Sequence, residues 1–83
     1  MKSKTITLPQ PMMIDGKEQA EITINEPNIA AMQGLEMSGI IRGDITQLMI
    51  LIPKITEISS ADLNKISFAN MAALSLGVTG FLG

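Results

Sequence analysis

The sequence contains no cysteine, histidine, tryptophan or tyrosine, and its aromatic residues are Phe68 and Phe81. Lack of cysteine excludes disulfides and thiolate metal sites, and lack of histidine removes the commonest metal ligand and the commonest general base. Basic residues are few and scattered, as Lys2, Lys4, Lys17, Arg42, Lys54 and Lys65, and the formal net charge is −2. A phosphate backbone needs several converging cations and unpaired bases need aromatic platforms, so nucleic acid is not an expected partner. Long hydrophobic runs are missing as well. The longest, Leu48 to Ile52, is too short to span a membrane, and Met1-Lys2-Ser3-Lys4 leads into alternating Thr and Ile rather than an apolar leader. The chain reads as soluble and cytoplasmic, with no membrane partner.

The carboxylates do not assemble a reaction centre on paper. Acid/base catalysis needs two carboxyl groups held close in a cleft with their proton affinities pushed apart. Asp15, Glu18 and Glu21 fall on or near the polar side of a hairpin, Glu36 and Glu57 on polar helix sides, and Asp44 and Asp62 at positions that cap helices. No serine has an activating base, there is no Ser-x-x-Lys arrangement, and the glycines lack the Lys-Ser/Thr tail of a phosphate loop. A non-enzyme without metal or cofactor is expected.

What is present is apolar material. Of 83 residues, 46% are hydrophobic and 17% charged, and seven are methionine. A chain this short buries only roughly 60% of its unfolded surface, and its stability should be on the order of 4–12 kcal/mol. Apolar surface is therefore left over after the core is filled, which favours a protein that sticks to others. Methionine is pliable and suits adaptable grooves as well as irregular cores, and Met13 and Met37 are the two expected to lie outside the core.

Alternation of Ile6 and Leu8 with Thr5 and Thr7, and of Ala20, Ile22 and Ile24 with Glu21 and Thr23, predicts two strands joined at Asp15-Gly16, a hairpin over about 4–25. A two-residue loop would pair Leu8 with Thr23 and turn Ile24 outward. A three-residue loop, pairing Ile14 with Glu18, Met12 with Ala20 and Leu8 with Ile24, gathers the apolar residues on one face and is the expected register. Pro9 and Pro11 cannot donate to a ladder. They mark strand one as a protected edge, or bend and interrupt it near Gln10.

Three to four short helices should follow the hairpin in one small α+β domain of residues 1–83. Pro27 suits a first helical turn and predicts a helix over about 27–38, with Ile29, Met32, Leu35 and Ile40 as its buried stripe. Asp44 caps the next, about 44–57, which carries the densest apolar run. Ile45, Leu48, Ile52 and Ile55 should meet the hairpin or the last helix, while Ile50 and Leu51 form a second apolar side needing its own cover. Pro53 predicts either a kink or a break into two pieces. Ser59 with Asp62 three residues on starts a helix over about 60–66, and Ser67 caps the last, about 68–82. Its stripe is Phe68, Met71, Leu74, Val78 and Phe81, with Leu82 beside it; the opposite face, Ala69, Ala72, Ala73, Ser75, Gly77 and Gly80, is small enough for close packing.

The order of these signals resembles the small tail assembly chaperones of contractile-tailed, Mu-like bacteriophages. The likeness runs through Lys4-Thr-Ile-Thr-Leu8-Pro9, Ile14-Asp15-Gly16-Lys17, Ala20-Glu-Ile-Thr-Ile24 and Glu26-Pro27, then Ile58 to Leu63, Ile66-Ser67-Phe68 and Gly80-Phe81-Leu82-Gly83. It covers nearly the whole chain. The resemblance implies a protein that binds the long, helical tape measure protein and keeps it soluble while tube subunits polymerise along it. Such a protein works in the host cytoplasm and is missing from the finished virion. The resemblance also implies that members are often encoded so that frameshifting appends a second segment after the shared N-terminal domain, a matter the protein sequence leaves open for a chain ending at Gly83. A second copy and the tail tube protein are further candidate partners. The alternative is a structural or adaptor subunit that self-assembles and stays in the particle, which mass spectrometry of virions would detect. Candidate partner-binding residues are Ile50, Leu51, Met71, Leu74, Val78, Phe81 and Leu82.

Overall fold

The computed structural model describes residues 2–82, Leu82 by its backbone alone. An antiparallel hairpin of β1 (Ser3–Ile14) and β2 (Lys17–Asn25) leads into α1 (Met37–Arg42), α2 (Ile45–Ile55), α3 (Ser60–Leu63) and α4 (Phe68–Leu82). This is the α+β order expected, a hairpin and then helices. The hairpin lies against α4, which also packs on α1, while α2 holds α1 and α3.

Asp15 (φ 52°) and Gly16 (φ 78°) are both left-handed, the two-residue geometry whose twist matches that of the flanking strands. The connection is therefore not the three-residue loop expected: Ile14 faces Lys17 and Met12 faces Gln19. Ile22 and Ile24 still reach the core because β1 leaves the ladder between Thr7 and Met12. Below that interruption Thr7 faces Glu21, Ile6 faces Ile22 and Lys4 faces Ile24, so Leu8, Pro9, Gln10 and Pro11 together lie opposite Ala20. Four residues against one shift the register by three, an odd number that exchanges the faces. Ala20, expected inward opposite Met12, is exposed, and Leu8 is buried without pairing with Ile24. The prolines cause this, since neither can donate to a partner strand. Both readings of that pair hold: β1 is an edge strand whose prolines offer no donor, and it is interrupted near Gln10.

A side chain completes what the ladder lacks at this point. The Gln10 N–H donates to Asn70 Oδ1 (3.0 Å) and the Gln10 carbonyl accepts from Asn70 Nδ2 (2.8 Å), so α4 supplies from one amide both bonds a strand would have given. Asn70 is the one polar side chain buried among the described residues.

The helix expected over 27–38 does not form. Asn28 Oδ1 accepts from the Ala31 N–H (2.8 Å) and opens a turn, but Gly34, at φ 79°, stops it before a regular helix is established. The helix starts instead at Met37. Ile29, expected at the head of the buried stripe, is 79% exposed, while Met32 and Leu35 are partly buried and Ile40 fully so. With Gly34 in the left-handed region, the backbone bonds of this short stretch cannot outweigh their entropy cost, and packing of Met32 and Leu35 is satisfied by irregular chain.

The later helix starts follow the sequence. Asp44 Oδ1 accepts from the Gln47 N–H, Ser59 Oγ from Asp62 and Ser67 Oγ from Asn70. Asp62 does more than favour its own helix start: its carboxylate accepts the Asp15 N–H (2.9 Å) and ties α3 to the hairpin turn. The helix α2 runs unbroken through Pro53 to Ile55. Pro53 lies in the last turn, where the carbonyl it deprives, that of Met49, is near the frayed end. Ile55 ends it two residues short of 57, and α3 stops at Leu63 rather than 66.

Hairpin and helices close over a core of Leu8, Ile14, Ile22 and Ile24, Ile40, Leu48, Leu51, Ile52 and Ile55, Ile58, Leu63, and Met71, Leu74 and Val78. At Gly77 the strand side chains seat directly on the α4 backbone: a Cβ there would stand 2.7 Å from Ile24 Cδ1 and 3.3 Å from Ile6 Cγ2. The small residues of α4 thus admit strand side chains at this point, not a second helix.

Candidate partner-binding groove

The fifteen residues of α4 include none that carries a charge. Such a helix has no side suited to water and must be covered nearly all round. Met71, Leu74 and Val78 face the core. On the other side Phe68 (80% exposed), Ala72 and Leu76 (74% exposed) follow one another at four-residue steps along a stripe that nothing in the domain covers. Across from them, at the start of α2, Ile45 is half exposed.

Between the two helices runs a groove of about 380 Å³. Leu48 and Met71 lie in it with Gly43, Ala72 and Ser75, and Phe68, Leu76 and Ile45 supply its exposed apolar side chains. Past Ile45, Phe68 and Met71 it continues into a second hollow of about 250 Å³, bounded by Met49, Leu63 and Ile66. No lining residue of either is charged. A partner surface placed here loses no salt bridge and needs no counter-ion; what it must offer is apolar side chains. Met49 and Met71 line the paired hollows with Phe68, and the pliability of the two methionines lets the groove fit more than one sequence.

Several residues expected to meet a partner are instead spent on the fold. Leu51, Leu74 and Val78 are fully buried and present nothing outward. Met71 is buried too, at 6%, but lies along the groove. Ile50 is 47% exposed on α2 and does not line the groove. Phe81 is half-buried beneath Lys4, whose Nζ stands 5.4 Å from the ring centroid, a cation–π arrangement that caps the helix against β1. The side chain of Leu82 lies outside the described residues. Ile45, expected against the hairpin or α4, is half exposed at the groove mouth, and Phe68, assigned to the inner stripe of α4, points out. Leu76 was visible in the sequence as the third member of a spacing, Phe68-Ala72-Leu76, that parallels the inner one. Met13 and Met37 are both more than half exposed, as expected.

Among the described residues no group of acidic side chains could hold a metal ion, and no helix is long and apolar enough to cross a membrane. A family model described as phage tail assembly chaperone proteins, E, or 41 or 14, matches residues 5–83, from the first strand through the last helix. No curated protein and no solved structure matches the sequence.

Proposed function

Since the chain belongs to this family of phage tail assembly chaperones, we propose that the groove between α2 and α4 is where it holds its client, and that the client is an apolar face of the tape measure protein. The observation that carries this reading is the uncharged stripe of Phe68, Ala72 and Leu76 facing Ile45 across an open groove. An amphipathic helix docks by laying residues at i, i+3, i+4 and i+7 into such a groove. A tape measure protein, long and largely helical, presents many such faces before tube subunits cover it.

Holding those faces prevents their self-association and demands no chemistry of the chaperone, which acts as a binding protein and not as an enzyme. Its place is the host cytoplasm, and the polymerising tube displaces it, so it is absent from the finished virion. The Mu-like, contractile-tailed setting follows the hairpin and linker signals described above. Co-expression tests the reading: with this protein present the tape measure protein should move from the insoluble to the soluble fraction. The double variant Phe68→Ser with Leu76→Glu should lose that effect while remaining folded. Equal solubility with and without the wild-type protein overturns the proposal.

A further inference from the structure

The two edges of the hairpin are not equivalent. On β1, Pro9 and Pro11 have no N–H to offer, and both backbone groups of Gln10 are taken by Asn70. No such device protects β2, whose nine residues, Lys17–Asn25, include neither proline nor bulge. The phase of its ladder is set by the Glu26 N–H, which donates to the Lys2 carbonyl (2.8 Å). Hydrogen-bonded pairs alternate with unbonded ones along an antiparallel ladder. Counting inward from that bond, Ile24 and Ile22 are bonded to β1, whereas Asn25, Thr23 and Glu21 direct their N–H and C=O groups to the free edge. All three are exposed, and among the described residues no intramolecular bond to their outward backbone groups is formed.

Along β2 lies a trough of about 610 Å³, lined by Thr5 of β1, by Glu21, Thr23 and Asn25, and by Thr56 and Glu57 just past the end of α2. Glu21 and Glu57 both line it, with no basic residue among its walls. We infer that β2 accepts an extended segment of another protein, one carrying Lys or Arg at alternate positions, as a third strand of the sheet. Main-chain bonds to Glu21, Thr23 and Asn25 would hold it, and the two carboxylates would select its charge. This edge is separate from the groove of α2 and α4, and the inference stands apart from the reading of that groove.

The test uses the full chain, isotope-labelled, and a synthetic peptide, Lys-Thr-Lys-Val-Lys-Thr-Lys. Its addition should shift the Glu21, Thr23 and Asn25 amide resonances and slow their hydrogen exchange at least tenfold. The peptide with Glu in place of Lys, or N-methylated at alternate residues, should bind at least tenfold more weakly. Glu21→Lys together with Glu57→Lys, both exposed changes, should reverse the preference between the two peptides, and Glu21→Lys alone should remove it. No protection at these amides, or protection indifferent to N-methylation, overturns the inference. So does slow exchange at the same three amides that grows with protein concentration alone, since the edge would then belong to a second copy of the chain.

Discussion

One side-chain amide takes the place of a missing strand in this protein. Asn70 gives Gln10 the donor and the acceptor that a neighbouring strand would give, at a point where two prolines have removed β1 from its ladder. Replacing it by leucine leaves a backbone N–H and a carbonyl without partners near the core, each worth roughly 1–3 kcal/mol when unsatisfied. Asn70→Leu should therefore lower stability by about 2–4 kcal/mol, a large part of the total, and calorimetry should show a fall in Tm of about eight degrees or more, at roughly 4–8 °C per kcal/mol. Asp44→Ala, which removes one cap bond at the start of α2, should cost only about 1 kcal/mol by the same measurement. These two positions also mark what can be read from sequence at this scale. Asp44, Ser59 and Ser67 act on residues three places on, so their capping roles were legible. Asn70 acts on a residue sixty places back, and nothing within its own helix announces that bond.

Individual elements show the same boundary between local and distant causes. Strand alternation identified the hairpin, and the apolar run behind Asp44 identified α2. The hairpin register escaped because the choice between a two-residue and a three-residue loop assumed a continuous ladder, whereas the fold uses the shorter loop and restores the apolar face with a three-residue slip at the prolines. The helix expected at 27–38 failed at Gly34, where the chain turns left-handed. In α4 the element was correct and its orientation ambiguous: a helix without charge has two apolar stripes, and periodicity does not say which one is buried. The stripe of Met71, Leu74 and Val78 is the core, and the stripe of Phe68, Ala72 and Leu76 is the surface. The two should separate by mutation. Leu74→Ala removes a fully buried side chain and should cost about 2–5 kcal/mol, losing function through unfolding. Leu76→Glu, at a site 74% exposed, should leave urea unfolding within about 0.5 kcal/mol of wild type while abolishing client binding.

At the scale of the whole molecule, a domain of 83 residues leaves several large apolar side chains in water: Ile29, Ile41, Ile45, Ile50, Phe68 and Leu76 among them. Three of these, Ile45, Phe68 and Leu76, converge on one uncharged groove, the surface to which the proposed function assigns the client. On the proposed function, in which the client is released when the tube arrives, buried ion pairs would serve poorly, since their partners are costly to separate once desolvated. Apolar contact in an open groove is reversible, and weak salt dependence follows from it: binding of the tape measure protein should change less than threefold between about 0.05 and 0.5 M salt, where exposed charge pairs are progressively screened. The most direct measurement is site-specific photo-crosslinking in cells that also produce the tape measure protein. A photoreactive phenylalanine analogue at position 68 or 76 should capture the tape measure protein, and the same analogue at Ile29, equally exposed but outside the groove, should not. Capture from position 29 with none from 68 or 76 would contradict the assignment of the groove.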